Sequence, residues 1–542
     1  MQEPELVPGH SPLHGGVPDD APQQPRASAG AYGPDGPDPG PDRRAPDNAP
    51  PGAAAQARPL PWLAGLAAAC TLFQLVLVVP GTGLGWDETV YVSQVSPQAP
   101  AAFFSAPRAR GITFLVAPVT ELTTSVMALR VYLALLSGLG LFLALWVWRR
   151  LLPTPVLAVA GALFAGIWVT AFYGAQVMPN LWVAYAALIA AGCFLRAVRR
   201  PDARMLLSVT AAVAFAAVLR PVDAAWLALP LAAAALLMRA RRRLLLLLTL
   251  ATGLVAGWAE WIIEAYVRYG GLTARLDRAS EIQGHLGAYF AFDDHVRALS
   301  GRTLCRPCDV AWNHPATGLW LIALPLLVAG GVWAAARTQY RAPIVLATAT
   351  GLALAFPYWF TIGYAAPRFL LPAYALLSLP VAQCLVRVVR AAARAGKPWC
   401  RVAFAGLGVA VAGHLAIQYR VLDGVIDRVR ADSTRYARVA AELRAQGVRP
   451  PCVITGMESI RVAFRVGCSS RQPGGHDKSI TPAGLAAAAR HQPVVLLLSG
   501  DQHPQAYARD WRTVPLPDFP HMPDYRAHLS PTATPSAARR AD

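Results

Sequence analysis

Two adjacent carboxylates, Asp87 and Glu88, lie in the run Gly85-Trp86-Asp87-Glu88-Thr89-Val90-Tyr91-Val92-Ser93-Gln94, just after the first long apolar block of the chain. Acidic side chains at a membrane boundary cost solvation energy unless they are paired, hydrated or used. Neighbouring residues of a helix point about 100° apart. One carboxylate can therefore face a reaction centre while the other holds structure or a metal ion. The plainer alternative is capping of an interfacial helix, with Trp86 and Tyr91 as belt aromatics. Arg220, before Pro221, and Arg368, after Pro367, stand at short turns. Long basic side chains at such turns commonly snorkel at helix ends.

These residues are strung between apolar blocks. The 542-residue chain is 55% hydrophobic and 15% charged, which is too apolar for a soluble protein of its length. The blocks are about 17–23 residues long, the length that crosses a bilayer as a helix. They fall near residues 60–80, 128–148, 155–173, 177–195, 205–220, 223–238, 244–266, 316–336, 343–360, 369–389 and 402–418. The expected fold is a polytopic all-α membrane protein with about eleven spans. The net charge of +18 comes from arginines clustered at block ends. This is a topology signal and does not point to nucleic acid. With a cytoplasmic N-terminus, the arginine clusters all fall on the cytoplasmic side. Loops 81–127 and 267–315 and everything after about residue 419 then fall outside, in a multi-pass plasma-membrane protein.

Composition divides the chain further. Residues 1–58 are rich in Pro, Gly, Ala and Asp and are expected to be disordered. The membrane domain is expected over 59–418. A small extracytoplasmic α/β domain is expected over 419–522, from a helical stretch at 426–446 and apolar runs at 452–455 and 493–499. A loose end follows at 523–542. Cys305, Cys308, Cys452 and Cys468 all fall on the oxidising side and are disulfide candidates. The Cys305-Arg306-Pro307-Cys308 spacing also fits a redox or zinc motif, but it has neither a βαβ context nor a second pair. His285, His295 and His314, with Asp293 and Asp294, fall in the 267–315 loop. Loop histidines are more often solvated surface residues than ligands.

The acidic element after a first span resembles the motif of the GT-C membrane glycosyltransferases, the superfamily of protein O-mannosyltransferases and aminoarabinose lipid A transferases. Val177-Met178-Pro179-Asn180 resembles that family's M-P-D turn, with Asn180 in place of the acid. Arg220-Pro221 stands where the family carries a basic turn residue, and Pro367-Arg368-Phe369-Leu370-Leu371-Pro372 resembles its R-Y-x-L-P element. The likeness covers roughly residues 60–390. Where the family carries a further acidic element in its first loop, this chain reads Ala106-Pro107-Arg108-Ala109-Arg110-Gly111. Glu121 either substitutes for it or is simply a polar residue on an interfacial helix.

The resemblance implies transfer of a sugar, with inversion, from a polyprenyl-phosphate donor to a hydroxyl on a glycan, lipid or protein acceptor. Asp87 and Glu88 would be the catalytic pair. Arg220 and Arg368 would bind the donor phosphate, and Trp86, Tyr91 and Asn180 would line the pocket. It also allows a divalent metal ion, whose ligands the sequence does not name. The run Gly81-Thr82-Gly83-Leu84-Gly85 lacks the strand–helix context of a nucleotide-binding loop. A lipid or polysaccharide transporter, or a non-catalytic envelope assembly protein on the same fold, are the other readings.

Overall fold

The computed structural model describes residues 59–534 apart from 310, 313 and 395. The proposed disordered tail, 1–58, lies outside these. Among the described residues, eight helices are long and apolar enough to cross a membrane: Leu60–Val78, Val126–Trp148, Asn180–Arg199, Ala240–Arg268, Pro315–Ala335, Arg341–Phe360, Pro367–Arg394 and Cys400–Ala445. The three other expected spans are shorter helices. Ala203–Leu219 and Pro221–Leu236 are separated only by Arg220. The block expected at 155–173 is broken into Thr154–Gly166 and Trp168–Tyr173 by an extended Ile167. The break frees the Trp168 backbone N–H, which donates to Gln418 Oε1 at 2.9 Å. An interrupted helix in a bundle needs such a substitute partner.

Helix packing at the centre is close. Pro367–Arg394 is largely buried, and Gly331 of the neighbouring helix lies against its backbone. A Cβ at Gly331 would come within 1.9 Å of the Pro380 carbonyl oxygen. Small residues that let backbones approach are the usual device of membrane helix pairs.

After the last span the chain builds a five-stranded mixed sheet. Its strands are β1 (Val453–Gly456), β2 (Ser469–Ser470), β3 (Val494–Leu498), β4 (Arg512–Pro515) and β5 (Arg526–Leu529), in the order β2-β1-β3-β5-β4. β1 runs parallel to β2 and β3, while β5 is antiparallel to β3 and β4. The apolar runs at 452–455 and 493–499 mark β1 and β3. β5 lies beyond residue 522, so the folded part extends into the segment expected to be loose. The reason is the Ala527 and Leu529 side chains, which are buried in the sheet core.

Residue 419, taken from composition as the boundary between domains, falls inside one helix, Lys397–Ala445. Leu422, Val425 and Ile426 of this helix pack in the bundle core, while Tyr436, Val439, Ala440 and Leu443 pack in the sheet core. The short helix Ser459–Val466 divides its faces in the same way. Ile460 and Phe464 join the bundle core, and Val462, Ala463 and Val466 join the sheet core. Cys305 pairs with Cys308, and Cys452 with Cys468.

The Gly331 contact gives a direct check. Gly331→Ala should destabilise the protein by about 1–3 kcal/mol through overpacking, read as a lower melting temperature of the detergent-purified protein.

Candidate functional site

The helix Trp86–Ser93 is set by its own first turn. Gly85 is the N-cap, and Glu88 Oε2 accepts from the Gly85 N–H at 2.7 Å. This is the acidic half of a capping box, and both acids favour the positive end of the helix. Glu88 is 4% exposed. Its Oε1 accepts from Arg130 Nη1 at 2.5 Å and from the Val177 N–H at 2.6 Å. Its Oε2 also accepts from Arg130 Nη2 at 2.9 Å. Arg130, fully buried, further donates to the carbonyls of Ala175 and Gly83. All the acceptor capacity of Glu88 thus goes into fixing the helix against its surroundings.

Asp87 points elsewhere. Its side chain is 33% exposed and is held between two guanidinium groups, with Arg108 Nη2 at 2.8 Å from Oδ1 and Arg368 Nη2 at 3.0 Å from Oδ2. Burial works to raise the Asp87 pKa. The guanidinium of Arg108, then that of Arg368, outweighs it and holds the carboxyl below its ordinary value of 3.8. Arg220 and Arg461 add to the positive field.

Each arginine is itself positioned. Arg108 lies against the rings of Trp86 and Tyr91, at 5.2 and 5.5 Å, and donates to Ser105 Oγ. The backbone that carries it is held by buried Arg275, which donates to the carbonyls of Ala106 and Arg108 and to Glu264. Arg368 donates to the Thr303 carbonyl at 2.7 Å. Arg220 pairs with Asp223 Oδ2 at 2.7 Å and donates to the Tyr358 hydroxyl, which in turn donates to Asp223. The Arg220 and Arg368 guanidinium groups share the Phe369 ring, at 5.4 and 5.3 Å. Nε of Arg368 and Nη1 of Arg108 are buried without a hydrogen-bond partner among the described residues. These are two spare donors beside a carboxylate.

The sheet end of the molecule closes over this arrangement. The helix Ser459–Val466 packs on Trp86–Ser93, and Gln98 Nε2 donates to the Phe464 carbonyl at 3.1 Å. Arg430 donates to the carbonyls of Leu77 and Pro80.

The chain has the GT-C fold. Over 88% of its length it superposes on 99% of ArnT from Cupriavidus metallidurans bound to undecaprenyl phosphate, with a TM-score of 0.62 and 14% sequence identity. The same protein in its apo state gives a TM-score of 0.60 at 16% identity over the same shares. No family model matches the sequence, and no curated protein matches it.

On this GT-C frame, four of the residues singled out in the sequence converge. Asp87, Arg368, Trp86 and Tyr91 share one cluster, with Arg220 within electrostatic reach. Asn180 is fully buried, and its amide makes no hydrogen bond among the described residues. It begins the helix that follows Val177 and does not bond to Asp87. Glu121 is exposed on the helix Gly111–Leu122. His285 and His314 are exposed. His295, expected on the surface, is instead buried, and burial pushes its pKa down to about 4. Among the described residues no three His, Cys, Asp or Glu side chains group as metal ligands. The Asp87–Glu88 pair does not fit a divalent ion, since each carboxylate is already neutralised by guanidinium groups that would repel it.

Arg108, Arg130 and Arg275 went unread in the sequence. Arg130 had a signal, being a single cation inside an apolar block, where charge persists only with a partner. Arg108 sits in the stretch noted only as a departure from the family pattern.

Two outcomes follow. Arg130→Met leaves Glu88 buried and unpaired and should cost about 3–5 kcal/mol, against a smaller loss for Arg108→Met at the partly exposed Asp87, both read by thermal unfolding. The lowered Asp87 pKa contributes stability above its unfolded value, and this is lost as pH falls through the folded one. From about pH 5 to about pH 3, the wild-type melting temperature should therefore fall more steeply than that of Asp87→Asn.

Proposed function

We propose that this chain is an inverting glycosyltransferase. It would move a sugar from a polyprenyl-phosphate donor to a hydroxyl of a glycan, lipid or protein acceptor at the extracytoplasmic face of the plasma membrane. The observation that carries the reading is the Asp87 carboxylate held between Arg108 and Arg368 at the end of an apolar helix bundle. The donor class is supported by the undecaprenyl phosphate held by the ArnT structure of the same fold. The side of the membrane is supported by the arginine clusters at the opposite helix ends and by the two disulfides.

In the resting arrangement Asp87 is a weak base, because two cations stabilise its charge. An incoming lipid phosphate offers those cations a second anion. Arg368 and Arg108 hold spare buried donors for it, and Arg220 supplies further positive field. As the arginines turn toward phosphate, their hold on Asp87 loosens and its proton affinity rises. The acceptor hydroxyl then loses its proton to Asp87. Its oxygen bonds to the anomeric carbon from the face opposite the phosphate, and the glycosyl–phosphate bond breaks, its electron pair leaving with the phosphate oxygen. The guanidinium groups meet the charge that develops there. The sugar must sit between base and leaving group, so the direct Asp87–Arg368 pair has to open as the donor binds. Glu88 has a positioning role through Arg130 and does not touch the reacting atoms.

The transfer is tested in cells. Deleting the gene and restoring it as wild type or Asp87→Asn should return the missing envelope glycan, by mass spectrometry, with wild type alone. Restoration by a normally inserted Asp87→Asn protein would remove Asp87 from catalysis. In vitro, Arg368→Gln should weaken undecaprenyl phosphate binding about tenfold or more, the loss expected from a charge-assisted hydrogen bond. Equal binding would remove Arg368 from the donor site.

A further inference from the structure

A concave region adjoins the end of the helix that bears Asp87 and the segment that carries Arg108. It is a cavity of 680 Å³ whose walls include Gln94, Phe104, Ala106, Tyr269 and Ile282. Small-molecule sites commonly have volumes of about 300–1,000 Å³. Four cations line it: Arg268, Arg278, Arg471 and Lys478. Among the described residues no acidic side chain does.

The cations come from three separate parts of the chain, so their convergence is tertiary. Arg268 ends a membrane helix, Arg278 lies on Leu272–Ile282, and Arg471 and Lys478 flank the loop after β2. Arg268 and Arg278 are partly neutralised, at 3.6 Å from Glu264 and 2.6 Å from Glu281. Neither Arg471 nor Lys478 makes an ion pair among the described residues. One aromatic wall is fixed, because the Tyr269 hydroxyl donates to the Phe104 carbonyl at 2.7 Å. Such a wall offers an apolar face to a sugar ring beside the charges. The loop reaches the reaction centre as well, since Asp477 lies within electrostatic reach of Arg108, Arg278 and Asp87.

We infer that this cavity is the acceptor subsite and that it takes an anionic saccharide unit, whose phosphate or carboxylate is held by Arg471 and Lys478 with Arg278. The acceptor role rests on the transferase reading; the anion site does not. Gln94 lines the cavity and ends the helix that presents Asp87, seven residues back. That spacing is about 10 Å along a helix. An acceptor anchored by its charge in the cavity can therefore extend a neighbouring hydroxyl toward the base. Uncompensated cations in a concave wall also focus their field and draw in anions.

The test uses the full chain in neutral detergent, with its donor site filled by undecaprenyl phosphate. The probes are glucose 6-phosphate, glucuronic acid and glucose, titrated calorimetrically. Wild type should bind one or both anionic sugars and not glucose, and which one it binds identifies the anion. Arg471→Gln/Lys478→Gln should weaken that binding about tenfold or more, two pair energies of this kind, with a smaller dependence on salt. Lys478→Gln alone, at an exposed position, gives a partial loss and keeps the test available should the double variant misfold. Arg368→Gln should bind the anionic sugars as wild type does. The inference fails if wild type does not prefer the anionic sugars to glucose, or if the double variant keeps wild-type affinity. It also fails if Arg368→Gln loses binding equally, which would place the anion in the donor site. Failure of undecaprenyl phosphate itself to bind would count against the proposed donor and leave the sugar titrations readable.

Discussion

The arrangement depends on one buried ion pair. Arg130 and Glu88 meet in a nearly water-free interior, where the desolvation of two charges is repaid only by near-complete hydrogen bonding. Here the carboxylate receives four donors, two from the guanidinium and two from backbone N–H groups, and the guanidinium reaches two carbonyls as well. These bonds join the loop after the first membrane helix, the next membrane helix and the turn before Asn180. They fix the rotation of Trp86–Ser93 about its axis. Because adjacent helical residues diverge by about 100°, burying Glu88 turns Asp87 toward the guanidinium groups.

That division of labour explains how an acid can remain charged at the end of an apolar bundle. Asp87 has no backbone donors comparable to those of Glu88. Its charge is balanced by arginines delivered from distant parts of the chain, each with its own separate anchor: an aromatic floor and Arg275 for Arg108, and the Thr303 carbonyl for Arg368.

Much of this was legible in the sequence because membrane helices obey simple length and charge rules. All eleven apolar blocks contain helix, and the order of the short motifs placed Asp87, Arg368 and Arg220 near one another. The sequence hid whatever depends on side chains closing over distance. Glu88 looked like a second catalytic acid because nothing local reveals its partner, 42 residues away. Arg108 looked like a missing acid, when its role is to oppose one. The break at Ile167 has no proline or glycine at the extended residue itself, and its compensation by Gln418 comes from 250 residues downstream. β5 was masked by proline-rich flanks, although its alternate residues are apolar. Composition also suggested a boundary at residue 419, because hydropathy falls there while helicity does not.

That last point bears on the geometry of the whole assembly. Lys397–Ala445 is one rod of 49 residues, about 74 Å at 1.5 Å per residue. None of its most apolar window is covered by protein, while its later turns are gripped first by the bundle and then by the sheet. Between Ile426 and Tyr436 every residue counts as angle. One more or one fewer would swing the sheet by about 100° around the rod, lifting Ser459–Val466 from the helix that bears Asp87. Nearer the lipid the same change would only slide an unengaged cylinder. The chain thus has a stretch where length is fixed by torsion, next to one where length is free.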